Sequence, residues 1–303
     1  MLKLFRRNAW RLRHAALLAA LLAIALYAAR DAWADIWRIA LRDEESSHIL
    51  LAPLAVLWLV WVRRGRLRRL RPVRNGAGPV LLLAGAGLYL LGYEWWTQLF
   101  FHAGAVLLLL GAVVTVGGNA VLRSFLPACL GLAFLLPVPG GLRRELAIPL
   151  QTTTAQVTQF LLELGGLPVS RTGNLLNING VPVGIAEACN GMRMVFSLLL
   201  ISYLFCFIQP MRNRARLALL LATPVTAVLL NVVRLVPTLM MYGYAPKAWA
   251  DAFHDWAGWV MIGVGFFLLM GVVELCRWIS VPILRYEFPA AGPGAAGGAG
   301  VGA

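Results

Sequence analysis

Apolar residues fill the chain in long continuous runs, separated by short polar stretches. Eight such segments can be drawn, at residues 15–33, 48–62, 79–93, 99–117, 121–138, 190–209, 217–238 and 256–279. The runs show no alternation of period two, and a helix needs about 20 apolar residues to cross a bilayer core. The pattern predicts an all-α polytopic membrane protein with about eight transmembrane helices.

The longest stretch without a spanning pattern is residues 139–188, between the fifth and sixth segments. In its first part, 143–164, apolar residues recur at helical spacing among Gln and Thr. This pattern is typical of an amphipathic helix that lies in the membrane interface. We therefore expect an outer amphipathic helix before the sixth segment.

A β-hairpin is predicted after this helix, around Asn179-Gly180. Asn-Gly accepts the positive φ angles of a type I′ turn, and short apolar runs flank the pair on both sides. Pro182 restricts the second strand to an edge position. The hairpin leads directly into the segment Glu187-Ala188-Cys189-Asn190-Gly191.

Composition and charge agree with a membrane location. The chain is 60% hydrophobic and 13% charged, and its formal charge is +14. The basic residues form short blocks between apolar runs, so they indicate topology and not a nucleic-acid partner. Alternate sides of the eight segments receive 18 and 7 Lys and Arg residues.

By the positive-inside rule, the side with the larger number is cytoplasmic. Both termini are then cytoplasmic, and the outer side receives four loops, at 34–47, 94–98, 139–188 and 239–255. Residues 1–288 are expected to form a single transmembrane domain. The Gly/Ala-rich tail 289–303 is expected to be disordered.

The chain has four cysteines and no C-x-x-C pair, which predicts neither a disulfide framework nor a metal site, and no cofactor is expected. Cys189 differs from the others because it lies where the outer loop becomes segment six. The positive end of a helix favours a thiolate there. The alternative is that Cys189 is a small buried hydrophobic residue.

Two arginines, Arg193 and Arg234, are counted on neither side of the membrane because they are assigned to the interior of apolar segments. Arg234 follows Asn231 by three residues, so the two share a helix face, near a predicted interruption at Pro237. An ionisable group at such depth is a functional candidate, suited to bind an oxyanion or a thiolate, although it can also snorkel to the interface. Arg193 is a second cation that either faces the same site or packs against a loop carboxylate.

His254 is the histidine best placed for proton transfer, at the predicted start of segment eight beside Asp255, with Gly258 one turn further on. A helix N-terminus would keep the ring neutral, as a general base requires. The alternative is an interfacial histidine in an aromatic-rich stretch. His48, which follows Glu44 and Glu45, is the second candidate.

The charge count places Cys189, Arg234 and His254 at the same leaflet, although it made no use of them. A cysteine, an arginine and a histidine in one pocket supply the nucleophile, oxyanion donor and base of an acyl transfer. Sequence spacing does not show that they touch.

These residues resemble the exosortase/archaeosortase family across most of the chain. The resemblance rests on ordered motifs: Ser47-His48, Leu135-Leu136-Pro137-Val138-Pro139, Pro149-Leu150-Gln151, Arg171-Thr172-Gly173-Asn174, Glu187-Ala188-Cys189-Asn190-Gly191-Met192-Arg193, Asn231-Val232-Val233-Arg234 and Phe253-His254. Asn190 departs from the family, whose members usually carry Ser there.

The resemblance implies a membrane cysteine transpeptidase or protease. Its substrates would be proteins with a C-terminal sorting signal, made of a short motif such as Pro-Glu-Pro, one transmembrane helix and a basic tail. Cys189 would be the nucleophile, Arg234 the stabiliser and His254 the proton carrier at the periplasmic face. Supporting positions would be Arg193, Asn190, Asn231, Glu187 and His48.

Two other classes of function remain open. In a transporter, Arg193, Arg234 and Glu274 would line a polar path, but the chain shows no obvious inverted repeat. A scaffold for polysaccharide export would need no thiol chemistry at all.

Overall fold

The computed structural model describes residue 10 and residues 12–70, 76–185 and 191–278. These residues are mainly helical, which confirms the all-α polytopic class. The helices are α1 Leu12–Ala28, α2 Arg30–Arg42, α3 His48–Val62, α4 Ala77–Glu94, α5 Gln98–Ser124, α6 Leu126–Gly131, α7 Gly140–Leu164, α8 Met192–Ile208, α9 Asn213–Tyr244 and α10 Lys247–Trp278. Short 3₁₀ turns cover Glu44–Ser46, Arg64–Arg69 and Leu132–Leu135.

Among the described residues, five helices are long and apolar enough to cross a membrane: α3 extended back to Glu44, α4, α5, α9 and α10 up to Glu274. Two bent pairs raise the number to seven if each is one span. α1 and α2 meet at 72°, and the Leu126–Leu135 unit meets α7 at 85°. The predicted count of eight is therefore not confirmed, because α8 has only 17 residues.

Two predicted segments differ in the structure. α5 is broken by a kink at Gly118 (φ 68°), close to the predicted start of the fifth segment, but residues 121–138 do not form one helix because they are divided among the end of α5, α6 and the 3₁₀ turn Leu132–Leu135. The predicted outer loop 239–255 is also mostly helical, because α9 continues through Pro237 to Tyr244 and α10 already begins at Lys247. A helix in an apolar environment can accommodate an interior proline when neighbouring groups satisfy the freed carbonyl.

The predicted amphipathic helix is present as α7. It buries small and polar side chains, Ala147, Thr154, Ala155 and Thr158, and Leu162, against the rest of the protein. Large apolar side chains point away from the protein, among them Leu146, Val157, Phe160, Leu161 and Leu164. This arrangement suits a helix whose free face contacts lipid.

The predicted hairpin is confirmed as part of a slightly larger sheet. β1 Val169–Thr172, β2 Leu175–Ile178 and β3 Val181–Gly184 form an antiparallel sheet in the order β1-β2-β3. Asn179 and Gly180 have φ angles of 51° and 78°, as a type I′ turn requires. β3, which contains Pro182, is an edge strand as expected, whereas β1 was not predicted.

The sheet is fixed to the helices at one end of the molecule. Leu176, Ile178 and Ile185 pack with Leu235 and Leu239 of α9 in a single buried cluster. The Asn179 side-chain amide donates to the Gly243 carbonyl at 2.9 Å, so the hairpin turn is attached to the last turn of α9.

Loops that were predicted to share a side of the membrane contact one another. At the end that carries the sheet, the Arg143 guanidinium forms an ion pair with Asp43. At the opposite end, Arg63 donates to the Phe207 carbonyl at 2.8 Å and Arg66 donates to the Ser124 carbonyl at 3.2 Å. The molecule thus has a sheet end and an arginine-rich end.

Candidate active site

Three helices, α8, α9 and α10, form the framework of the candidate site. Their shared core is apolar and includes Leu198 of α8, Ala227 and Leu230 of α9, and Ile262 and Leu269 of α10. The polar residues of interest lie above this core, toward the sheet end. A packed three-helix framework holds side chains more precisely than free loops do.

Arg234 and Asn231 lie on one buried face of α9, with relative exposures of 3% and 0%. Asn231 contacts the start of α8: a Cβ atom added to Gly191 would lie 3.0 Å from the Asn231 side-chain nitrogen. Gly191 adopts a left-handed conformation with φ 73°, immediately before α8 begins. α9 therefore lies directly against the chain that follows the Cys189 motif.

Arg193 and Arg234 meet at Gly258 of α10. A Cβ atom added to Gly258 would lie 2.5 Å from Nη2 of Arg193 and 2.6 Å from Nη1 of Arg234. Two guanidinium groups from two different helices thus converge on the same point of a third helix. Any larger residue at position 258 would require both guanidinium groups to shift.

One carboxylate partly offsets this concentration of positive charge. Glu44, in the turn before α3, accepts from Nη1 of Arg193 at 3.1 Å. The Arg193 guanidinium also lies 6.0 Å from the centre of the Trp259 ring, at the outer limit of a cation–π contact. Arg193 therefore contacts a loop carboxylate, one of the two predicted alternatives, and also faces Arg234.

His254 lies one turn before Gly258 on α10 and is half-buried. Among the described residues, the charged groups that act on its ring are Arg234, Asp255, Glu44 and Arg193. Its Nδ1 is buried and has no hydrogen-bond partner among the described residues. His254 is thus part of the same cluster as the two arginines.

The expected position of His254 at a helix N-terminus is wrong. α10 begins at Lys247, so His254 is about two turns inside the helix. The field of a helix end falls off within the first turn and does not act strongly on this ring. Any control of its protonation comes from burial and from the neighbouring charges.

The described contacts of His48 are with residues other than the two arginines and His254. His48 is 2% exposed, its Nδ1 is 3.2 Å from the Glu45 carbonyl, and its ring stacks on Phe196 of α8 at 5.0 Å. These contacts fit a packed structural histidine. Cys189, Asn190 and Glu187 lie outside the described residues.

The structure does not bring Glu274 near the two arginines. Glu274 follows Gly258 by 16 residues on α10, a rise of about 24 Å. It lines a different cavity, together with Gln209, Pro210 and Met270. Arg193 and Arg234 therefore lie at one end of the three-helix framework and Glu274 lies toward the other.

Sequence reasoning named Gly258 and Glu44 as neighbours of the two candidate histidines, but not as partners of the arginines. The contact of Asp43 and Glu45 with Arg143 was also missed. The run Asp43-Glu44-Glu45 was a usable signal, because acidic residues at a membrane surface near predicted cations are natural ion-pair partners.

Together these features define a multi-pass helical membrane protein with a polar cluster at one end of its three-helix framework. The family model for transmembrane exosortases matches residues 33–271, so the chain belongs to the transmembrane exosortase family. This match includes every described residue of the cluster. At the level of the family, it indicates a membrane transpeptidase that acts on proteins with C-terminal sorting signals. No curated protein and no solved structure matches the chain.

Proposed function

We propose that the protein cleaves C-terminal sorting signals through a thioester on Cys189, at the periplasmic face of the bacterial inner membrane. The observation that supports this most is the meeting of Arg193, Arg234 and His254 around Gly258. The substrate would consist of a short recognition motif, a transmembrane helix and a basic tail.

Chain connectivity supports Cys189 as the nucleophile of this cluster. Two peptide units separate Cys189 from Gly191, and they span no more than about 7.6 Å. Gly191 contacts Asn231, which is one turn from Arg234 on the same face of α9. A thiol at position 189 is therefore within a plausible reach of the arginine cluster.

The reaction would begin when His254 takes the proton of the Cys189 thiol and the resulting thiolate attacks the carbonyl carbon of the scissile peptide bond. Arg234, whose guanidinium is preorganised by burial, would stabilise the thiolate and then the oxyanion. The carbon–nitrogen bond would break as His254 gives a proton to the leaving amine. An acceptor amine or water would then attack the thioester and release the thiol.

The division of the molecule into two ends fits a substrate that spans the membrane. Its helix would lie beside α8, α9 and α10, with the motif at the sheet end and the basic tail on the cytoplasmic side. Both termini of the enzyme would also be cytoplasmic, because the basic blocks concentrate on that side.

A processing assay tests the proposal. A candidate substrate from the same genome, with motif, helix and basic tail, is co-expressed with the wild-type chain or with Cys189→Ala. We expect Cys189→Ala to abolish the shift in substrate size seen on gels, because no thioester can form.

Cys129→Ala is the matched control, since Cys129 is a half-buried thiol on α6 that takes no part in the cluster. It should process the substrate at the wild-type rate. Full processing by Cys189→Ala would disprove the thiol mechanism.

A further inference from the structure

A cavity of about 450 Å³ opens at the arginine-rich end of the molecule, remote from the candidate active site. Among the described residues, four arginines and no carboxylate line it; the lining residues are Val62, Arg63, Gly65, Arg66, Arg69, Phe207, Ile208, Gln209, Pro210 and Arg216. Arg216 and Arg234 are 18 residues apart on α9, which corresponds to about 27 Å of helix rise. That distance is close to the thickness of a bilayer core, about 30 Å.

Two of the arginines are held in place by the same aromatic residue. The guanidinium carbons of Arg63 and Arg216 lie 5.8 Å and 5.1 Å from the centre of the Phe207 ring. Arg63 also donates to the Phe207 carbonyl at 2.8 Å, and Arg216 donates to the Cys206 carbonyl at 3.0 Å. The carbonyls at the end of α8 thus orient the guanidinium groups of Arg63 and Arg216. Each guanidinium keeps further N–H donors that are available to a ligand.

No described carboxylate forms an ion pair with any of these four arginines. The positive charge is dense enough to affect its own members: burial, followed by the charges of Arg66 and Arg216, lowers the pKa of Arg63. A bound anion would relieve this repulsion. Phosphate is the anion that several guanidinium groups bind best, because each supplies paired donors.

We infer that this cavity binds a phosphate group, and specifically the phosphodiester of an anionic phospholipid. The apolar ends of two membrane helices, Val62 of α3 and Ile208 of α8, form part of its wall. A lipid headgroup can therefore enter the cavity while its acyl chains remain beside the helices. Basic pockets between transmembrane helices bind lipid headgroups in this manner.

The test uses the full chain in detergent micelles and measures bound lipid by native mass spectrometry. The probes are phosphatidylglycerol, diacylglycerol with the same acyl chains, and inorganic phosphate as a competitor. We expect phosphatidylglycerol to remain bound and diacylglycerol to be lost. Arg66→Gln should weaken phosphatidylglycerol binding by about 10-fold, because one charged contact is removed.

Arg64→Gln is the matched control. Arg64 belongs to the same 3₁₀ turn and carries the same charge, but it stacks over the Trp61 ring at 3.6 Å and lines no part of the cavity. It should bind phosphatidylglycerol like the wild type. Arg66 is exposed, and a melting curve checks that both variants remain folded.

Competition with inorganic phosphate distinguishes a phospholipid headgroup from free phosphate as the ligand. Retention of phosphatidylglycerol in millimolar phosphate supports the lipid, whereas displacement by phosphate supports a site for the free anion. Equal weakening by Arg64→Gln and Arg66→Gln would overturn the inference, because it would indicate diffuse attraction. Equal binding of diacylglycerol would overturn it as well.

Discussion

At the scale of single residues, Gly258 decides how the candidate site is built. Its missing side chain lets the Arg193 and Arg234 guanidiniums approach the α10 backbone together, one turn from His254. Glu44 pairs with Arg193, and two guanidinium groups held this close together favour additional negative charge beside them. The oxyanion of an acyl transfer would supply such a charge.

Gly258→Ala tests the importance of this approach. The new methyl group would meet both guanidiniums at about 2.5 Å and displace them. Since a displacement of about 1 Å can cost two orders of magnitude in rate, we expect processing to slow roughly 100-fold. The measurement is the rate of substrate cleavage in membranes.

Gly263→Ala, on the same helix, is the control, because a Cβ atom there meets nothing within 4 Å. It should cleave at the wild-type rate and melt at the same temperature as Gly258→Ala. If Gly258→Ala also retained the wild-type rate, the geometry around residue 258 would not matter for the reaction.

At the scale of elements, α4 and α5 pack closely against each other, and glycines allow their approach. Gly78, Gly85 and Gly92 recur every seven residues on α4, and Gly85 directly faces Gly104 of α5. Gly78 and Gly92 lie instead against Thr115 and Phe101 of α5. Small residues at a helix interface let backbones approach closely in a membrane, where packing replaces the hydrophobic effect. This pair supports α1 and thus the N-terminal half of the bundle.

Gly104→Ala should destabilise the protein. The added Cβ atom would lie 2.7 Å from the Gly85 carbonyl oxygen, and backbone atoms cannot move aside as a side chain can. We expect a loss of about 1–3 kcal/mol in the free energy of unfolding, as for other overpacked cores. Thermal melting in detergent measures it.

Gly87→Ala, in the same helix pair, adds a methyl group with no neighbour within 4 Å and should leave the melting temperature unchanged or slightly higher. If Gly104→Ala and Gly87→Ala melted at the same temperature, the contact between α4 and α5 at Gly104 would not be tight.

Elements with a strong local signal were predictable from sequence. The Asn179-Gly180 turn and the amphipathic α7 follow from backbone preferences and periodicity, so both are present as expected. The ends of helices in apolar sequence were not predictable, because an apolar composition allows a helix without indicating the residue at which it ends. α9 passes Pro237, and α10 starts nine residues before the predicted segment, at Lys247.

The candidate site was predictable in its members and not in its contacts. Arg234 and Asn231 share a face because of their spacing, a local property. The meeting of Arg193 with Glu44 and with Arg234 joins residues far apart in the chain and depends on how α8, α9 and α10 pack. No periodicity within a single segment contains that information.

At the scale of the whole molecule, the two ends differ in charge and in content. The sheet end holds the arginine–histidine cluster, and the other end holds the cavity lined by four arginines. A membrane orientation with the arginine-rich end in the cytoplasm satisfies the positive-inside rule and leaves the cluster in the periplasm. Both proposals depend on this orientation, in different ways.

Introduced cysteines test the orientation. Gly140→Cys lies at the sheet end and Gly65→Cys at the arginine-rich end, and a side chain at either position meets nothing within 4 Å. In chains whose four native cysteines, including Cys189, are replaced by alanine, a membrane-impermeant maleimide should label Gly140→Cys in intact spheroplasts and Gly65→Cys only after they are lysed. The reverse pattern would place the cluster in the cytoplasm.

The most direct measurement is mass spectrometry of a covalent intermediate, using purified protein incubated with a tailed substrate and quenched in acid. Thiol chemistry predicts a peptide containing residue 189 whose mass is increased by that of the substrate acyl fragment, in a bond cleaved by hydroxylamine. Cleavage of the substrate with no such adduct would contradict thiol chemistry, provided that Cys189 remains a free thiol, fully open to alkylation, throughout turnover.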